Sequence, residues 1–170
     1  MPAMMTPGTA GRDLTEAMET IIIPRLAEAT NEVFETMVLK TLAAGEPMRD
    51  KRQPTANVVG AIRFLGSLSG TVSFYSSDAA AREIAGALLG IAPEDANNEV
   101  PDAVGEITNM IAGALRGKLA PAGEHLMITP PSVTRGSDFS AQHFNVASRV
   151  LCPFKMDDHE VFVEIILQST

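Results

Sequence analysis

Apolar positions in the first third of the chain recur at the spacing of one helix face: Leu26, Val33, Phe34, Met37, Val38 and Leu42. The helical pattern begins at Asp13 and is expected to stop at Gly45. Pro24 can start the main helix at its first turn, where a missing N–H is harmless, or kink a longer one; the start is the favoured reading. Residues 1–12, rich in Met, Pro, Gly and Thr, are expected to be a disordered tail, which leaves 13–170 as a single domain.

Beyond a polar loop at Lys51 to Asn57, the runs Val58 to Leu65 and Thr71 to Tyr75 predict two strands joined around Gly66 to Gly70 as a hairpin. Ser77 and Asp78 then cap a short alanine-rich helix that Gly90 closes. A long helix follows from about Pro101 and must end by Ala120, because Pro121 is next. The last third carries strand patterns at Leu126 to Thr129, Asn145 to Leu151 and Val161 to Leu167. The order helix, strand, strand thus occurs over 24–75 and again over 101–151, as an internal duplication would give. Helices over a largely antiparallel sheet make an α+β domain.

The faces of the second long helix follow from about 100° of rotation per residue. Val104, Ile107, Ile111 and Leu115 gather on one side, while Asp102, Glu106, Asn109 and Gly113 fall within roughly 60° of one another opposite them. With glycines at 105, 113 and 117 on or beside it, the polar stripe is expected to be flat and open to close approach by another surface. An amide is no general base, and a lone carboxylate gives no nucleophile and base pair, so the stripe needs a partner to complete any chemistry. An Asn can hold a water, and a Glu can pair with a partner's Lys. By spacing alone, the same residues also describe an ordinary solvated face.

Composition narrows the partners. Thirteen Lys and Arg against twenty-one Asp and Glu give net charge −8 and disfavour nucleic acid, which must be held by cationic groups. Seven Phe, one Tyr and no Trp leave few platforms for stacking bases. No apolar run approaches the roughly 18 residues of a membrane span, and no leader is apparent at Met1 to Gly11. With Cys152 unable to form an internal disulfide, a cytoplasmic location is expected.

Asp102-x-x-x-Glu106-x-x-Asn109-x-x-x-Gly113 resembles the signature of the CheC/CheX/FliY class of chemotaxis phosphatases, with CheX the best match. The segment Gly66 to Ser77 looks like that family's glycine-flanked hairpin leading to a short helix. Ile128-Thr129-Pro130-Pro131-Ser132-Val133, followed by Gly136, is similar to the Ile-Thr-Pro-Pro segment typical of CheX, and Val33 to Met37 adds a fourth motif in the right order. The resemblance implies an α+β fold with pseudo-twofold halves, two long helices on a largely antiparallel sheet, and a homodimer paired through its sheets. It also implies dephosphorylation of a CheY-type response regulator, ending chemotaxis or related two-component signalling. By carry-over Glu106 would pair with the receiver's lysine and Asn109 would orient the attacking water, with Asp102 and Gly113 supporting or touching the partner. The receiver would supply the phosphoryl group and Mg²⁺, so no metal or cofactor of this chain's own is expected. The rival reading is a module that docks on a receiver or signalling complex through the same stripe without turnover.

Some relatives carry a second Glu-x-x-Asn on the first helix, and Glu28-Ala29-Thr30-Asn31 has that spacing. Pro24 replaces the acidic residue four positions before it, and Glu32 and Glu35 crowd the same side, so a degenerate second site or a solvated face is expected. His125, His143 and His159 lack partners at ligand spacing, which argues against structural zinc. Cys152 reads as a buried small hydrophobe rather than a nucleophile.

Overall fold

The computed structural model describes residues 10–50, 52–136 and 146–169. Helix begins at Ala10, ahead of the expected Asp13, because extending an already packed helix by a turn is cheap once its nucleus exists. The first long helix does not start at Pro24. It runs over 10–38, α-helical at Ala10–Ala17 and Ile23–Val33, with wider π-turns at Met18–Ile22 and Phe34–Val38. Pro24 has no N–H for an α-type bond, and the turn before it is wound wider, with the Ile23 N–H reaching the Met18 carbonyl. The widening carries the helix past a proline that would otherwise break it.

Gly45 is not the stop either. Leu39 adopts the left-handed conformation (φ 60°, ψ 37°) and ends the helix, with the Lys40 N–H returning to the Phe34 carbonyl at 3.1 Å. The second π-turn also rotates the helix face. Met37 is therefore 44% exposed, while Leu42 is buried beyond the helix rather than on it.

The hairpin strands form as β2 (Val58–Gly66) and β3 (Gly70–Ser76), with a two-residue strand β1 (Ala43–Ala44) before them. Ser77 caps the short helix Asp78–Leu89, its hydroxyl accepting from the Ala80 N–H at 3.1 Å, and Gly90 closes it at φ 68°. The second long helix is Val100–Leu119. After it come β4 (Leu126–Ile128), β5 (Ser132–Arg135), β6 (Val146–Met156) and β7 (His159–Gln168). Two corrections to the expected strands follow. β5 is additional, and β6 runs on through Pro153 to Met156. The Gly45 N–H donates to the Pro153 carbonyl at 2.9 Å, so the missing proline N–H faces the edge segment rather than the ladder with β7.

All pairings are antiparallel, in the order β1-β6-β7-β3-β2-β4, with β5 also on β2. The hairpins β2–β3 and β6–β7 meet at β3 and β7, and each half sends its linking strand to the far edge of the other: β1 joins β6, and β4 and β5 join β2. That exchange makes the halves pseudo-twofold, but the repeated unit is a helix, an edge strand and a hairpin, so the second copy runs on through β7 rather than ending at 151 as the expected duplication had it. Both long helices pack on one face of the sheet over a core that includes Leu26, Phe34, Phe74, Ile107, Ile111, Phe154 and Val163. The other face is covered too, by Ala56 and Met48 against Tyr75, Leu151 and Phe162.

Gly60 on β2 sets the height of the second helix over the sheet. A Cβ there would stand 2.1 Å from Thr108 Oγ1 and 3.2 Å from Val104 Cγ1. Gly60→Ala is therefore expected to cost about 1–3 kcal/mol through overpacking. The check is a lower urea midpoint at unchanged slope; an unaltered midpoint would show that the helix can rise freely.

Candidate functional site

The second long helix carries the stripe, and its sequence explains how it sits. Pro101 occupies the first turn, where no N–H is required; Asp102 lies in that turn and Arg116 and Lys118 in the last, each complementing the helix dipole. Val104, Ile107 and Ile111 are fully buried and Leu115 nearly so. Thr108 is buried as well, its hydroxyl donating to the Val104 carbonyl at 2.7 Å. The face opposite is the polar one: Asp102 and Glu106 are exposed, Asn109 and Gly113 half-buried. Residues three and four apart stand about 5–6 Å from each other between Cβ atoms, so these four form one continuous row.

Among the described residues, no hydrogen bond or ion pair of this chain engages the side chains of Asp102, Glu106 or Asn109. Their polar groups are available to a partner. The positions where a Cβ would stand at Gly113 and Gly117 are open, with nothing within 4 Å. Gly105 differs from the expectation: it is buried, and its Cβ position meets Val133 Cγ2 at 3.3 Å and Pro131 Cγ at 3.7 Å. It is a packing notch on the flank of the stripe, not part of the open patch.

Glu28 and Asn31 are placed differently. Glu28 pairs with Arg25 at 3.1 Å and with Lys118 at 3.8 Å, and Lys118 also holds Glu32 at 2.7 Å. The Asn31 carbonyl oxygen is buried without a hydrogen-bond partner among the described residues. The first helix thus keeps its carboxylate on cations of its own chain and turns its amide oxygen inward. Lys118 was the residue sequence reading missed, since nothing local reveals which helix faces its ammonium.

The remaining candidates fall elsewhere. His159 meets Glu83 at 3.0 Å, His125 is exposed, and His143 lies outside the described residues. Among the described residues, no group of three or more His, Cys, Asp and Glu side chains is arranged to hold a metal ion. Cys152 is buried on β6, and burial pushes its thiol up to about 11, so it is not a thiolate at neutral pH.

The comparisons with known proteins give a family by sequence and a shared fold by structure. The model of the family described as "Chemotaxis phosphatase CheX" matches residues 58–155. The CheY-P phosphatase CheX of Thermotoga maritima is 27% identical over 141 residues, covering 78% of this chain and 90% of that protein. The crystal structure of a chemotaxis protein CheX from Desulfovibrio desulfuricans superposes with a TM-score of 0.79 at 29% identity, over 86% of this chain and 99% of that one. A chain of the CheX–CheY–BeF₃–Mg²⁺ complex from Borrelia burgdorferi has the same fold, with a TM-score of 0.75 at 21% identity over 87% of this chain and 98% of that one.

Proposed function

The chain belongs to the CheX family of chemotaxis phosphatases, and from that premise we propose that it hydrolyses the aspartyl phosphate of a CheY-type response regulator. The observation that carries the reading is the stripe: an exposed carboxylate and a half-buried carboxamide one turn apart, neither engaged by its own chain among the described residues. Glu106 pairs with a lysine of the receiver and so seats the helix against the phosphorylated pocket. Asn109 uses its carbonyl oxygen and NH₂ to hold a water in line with the phosphorus. The water oxygen forms the new bond to phosphorus as the bond to the aspartyl oxygen breaks, releasing phosphate and a free carboxylate. Fixing that water is worth several kcal/mol, because phosphoryl transfer asks for position and charge stabilisation rather than covalent help. Mg²⁺ belongs to the receiver's side of the complex. Asp102 and Gly113 extend the contact surface on either side.

The same reading has the protein act in the cytoplasm, where receivers are; none of the described helices is long and apolar enough to cross a membrane. It also has two copies pair through their sheets. Leu65 and Met127 support this, since they face each other across β2 and β4 at the sheet edge and are 42% and 72% exposed.

The decisive experiment is the lifetime of phosphate on a receiver from the same genome with and without catalytic amounts of the protein. A shortened lifetime supports hydrolysis. A stable complex that leaves the lifetime unchanged would favour the binding module instead. Glu28→Ala serves as the internal control: with Glu28 held by Arg25 and Lys118, its loss is expected to leave the hydrolysis rate within about twofold. A large loss of rate in that variant would instead place a second working site on the first helix.

A further inference from the structure

The Ile128 to Val133 segment has no part in the chemistry above, yet it reaches the site helix beside Glu106. Two backbone-directed bonds fix its start: the Thr129 N–H donates to the Arg63 carbonyl at 2.9 Å, and the Arg63 N–H donates to Thr129 Oγ1 at 3.1 Å. Its end is fixed by the β5 register, in which Val133 stands opposite Gly60. Gly60 is the residue beneath Thr108 and Val104. Strands β2 and β5 therefore hold the helix both from below and from the side. Between the two anchors lie Pro130 and Pro131, which have no N–H for the ladder and whose rings lock the backbone.

The side contact is the notch at Gly105, where a Cβ would meet Val133 Cγ2 at 3.3 Å and Pro131 Cγ at 3.7 Å. Gly105 precedes Glu106 directly, and its neighbours on the helix surface at i−3 and i+4 are Asp102 and Asn109. Whatever presses on Gly105 therefore presses between the residues of the stripe.

We infer that Pro131 and Val133, seated in the Gly105 notch, are positioning residues that set where Asn109 and Glu106 stand relative to a partner's phosphoryl group. The inference deepens the dephosphorylation reading and rests on it. In-line attack is sensitive to placement, and a displacement of about 1 Å can cost about a hundredfold in rate. A methyl group at 105 demands a few tenths of an ångström from Val133 or from the helix, enough to move the held water without unfolding the domain.

The test uses the full chain and a phosphorylated CheY-type receiver, with kcat, KM and the urea midpoint measured for each variant. Gly105→Ala is expected to lower kcat about tenfold with KM changed by less than about twofold. Gly105→Ala combined with Val133→Ala gives the space back and is expected to restore kcat to within about threefold of wild type. Val133→Ala removes an apolar contact, so the double variant remains less stable than wild type; rate recovered without stability is a result that mere packing would not produce. A folded Gly105→Ala with wild-type kcat overturns the inference, as does a loss that persists in the folded double variant. If Gly105→Ala does not fold, Pro131→Ala decides: a lower kcat at unchanged KM supports the positioning role, and an unchanged kcat overturns it. Absence of hydrolysis by wild type on every receiver overturns the proposed function and this inference together, whereas an active wild type with insensitive variants overturns the inference alone.

Discussion

Replacing Asn109 by alanine is expected to lower kcat for receiver dephosphorylation by about a hundredfold or more, with little change in KM. The amide is half-buried on the exposed side of the second long helix and makes no hydrogen bond within the chain among the described residues, so its loss leaves no orphaned partner. Stability should therefore stay within about 0.5 kcal/mol of wild type. In the proposed mechanism binding rests chiefly on Glu106 and the surrounding surface, which the substitution leaves in place. On the proposed mechanism the side chain takes the orientation of the attacking water with it, a contribution that belongs to the transition state. Single-turnover decay of the receiver phosphate, with circular dichroism as the control for folding, measures the effect. Retained turnover by a folded Asn109→Ala protein would remove Asn109 from the mechanism.

Arg149→Ala is expected to cost about 3–5 kcal/mol of stability, because it removes the cation paired with a buried carboxylate. Glu164 is 1% exposed on β7; Arg149 Nε donates to its Oε2 at 2.6 Å, and a terminal guanidinium nitrogen forms an ion pair with the same oxygen at 2.6 Å. The Tyr75 hydroxyl donates to the other carboxylate oxygen at 3.0 Å, and burial, with the Glu164 charge beside it, holds that phenol protonated far above its ordinary range. Arg149 also donates to the Asp50 carbonyl at 2.5 Å and the Arg52 carbonyl at 3.0 Å, which ties the loop at Asp50 and at Arg52 to the sheet. Removing the guanidinium therefore frees the loop as well as the charge. Urea or thermal unfolding gives the loss directly. Adding Glu164→Gln to Arg149→Ala should recover part of it, since the uncompensated charge is then gone. An Arg149→Ala midpoint equal to wild type would show that the carboxylate finds another cation or water. The pair lies on the sheet face away from the helices, so the folded fraction should keep its activity.

Local periodicity made much of this protein legible from residues alone. The buried side of 100–119 and the polar row opposite it follow from the helix repeat, which depends on neither strand order nor partners. The Ser77 cap, the Gly90 stop and the hairpin likewise involve residues within a few positions of each other, and all form as expected. The family resemblance rested on the same short motifs and led to the fold class; it also supplied the proposal that Glu106 and Asn109 are the working pair.

Other features depended on groups far apart in the chain. Pro24 looks like a helix start because its ring forbids an α-type bond, yet packed apolar residues on both sides, Met18, Ile22 and Leu26, keep the helix going through a wider turn. β1 is only two residues long, and Ser132–Arg135 follows two prolines; both are strands only because β6 and β2 supply the ladder. The openness of Gly113 against the burial of Gly105 was invisible for the same reason: one faces solvent and the other receives Pro131 and Val133. Glu28 and Asn31 match the motif spacing as Glu106 and Asn109 do. Pro24, Glu32 and Glu35 already set the first motif apart in the sequence, and tertiary packing adds what the sequence does not show, by bringing Lys118 across to the first helix. Which side chains share a face is readable from the residues alone, because that is a property of backbone repeat. What each face meets was decided by the tertiary structure, because a contact across more than eighty residues exists only once the strands are ordered and the helices seated on them.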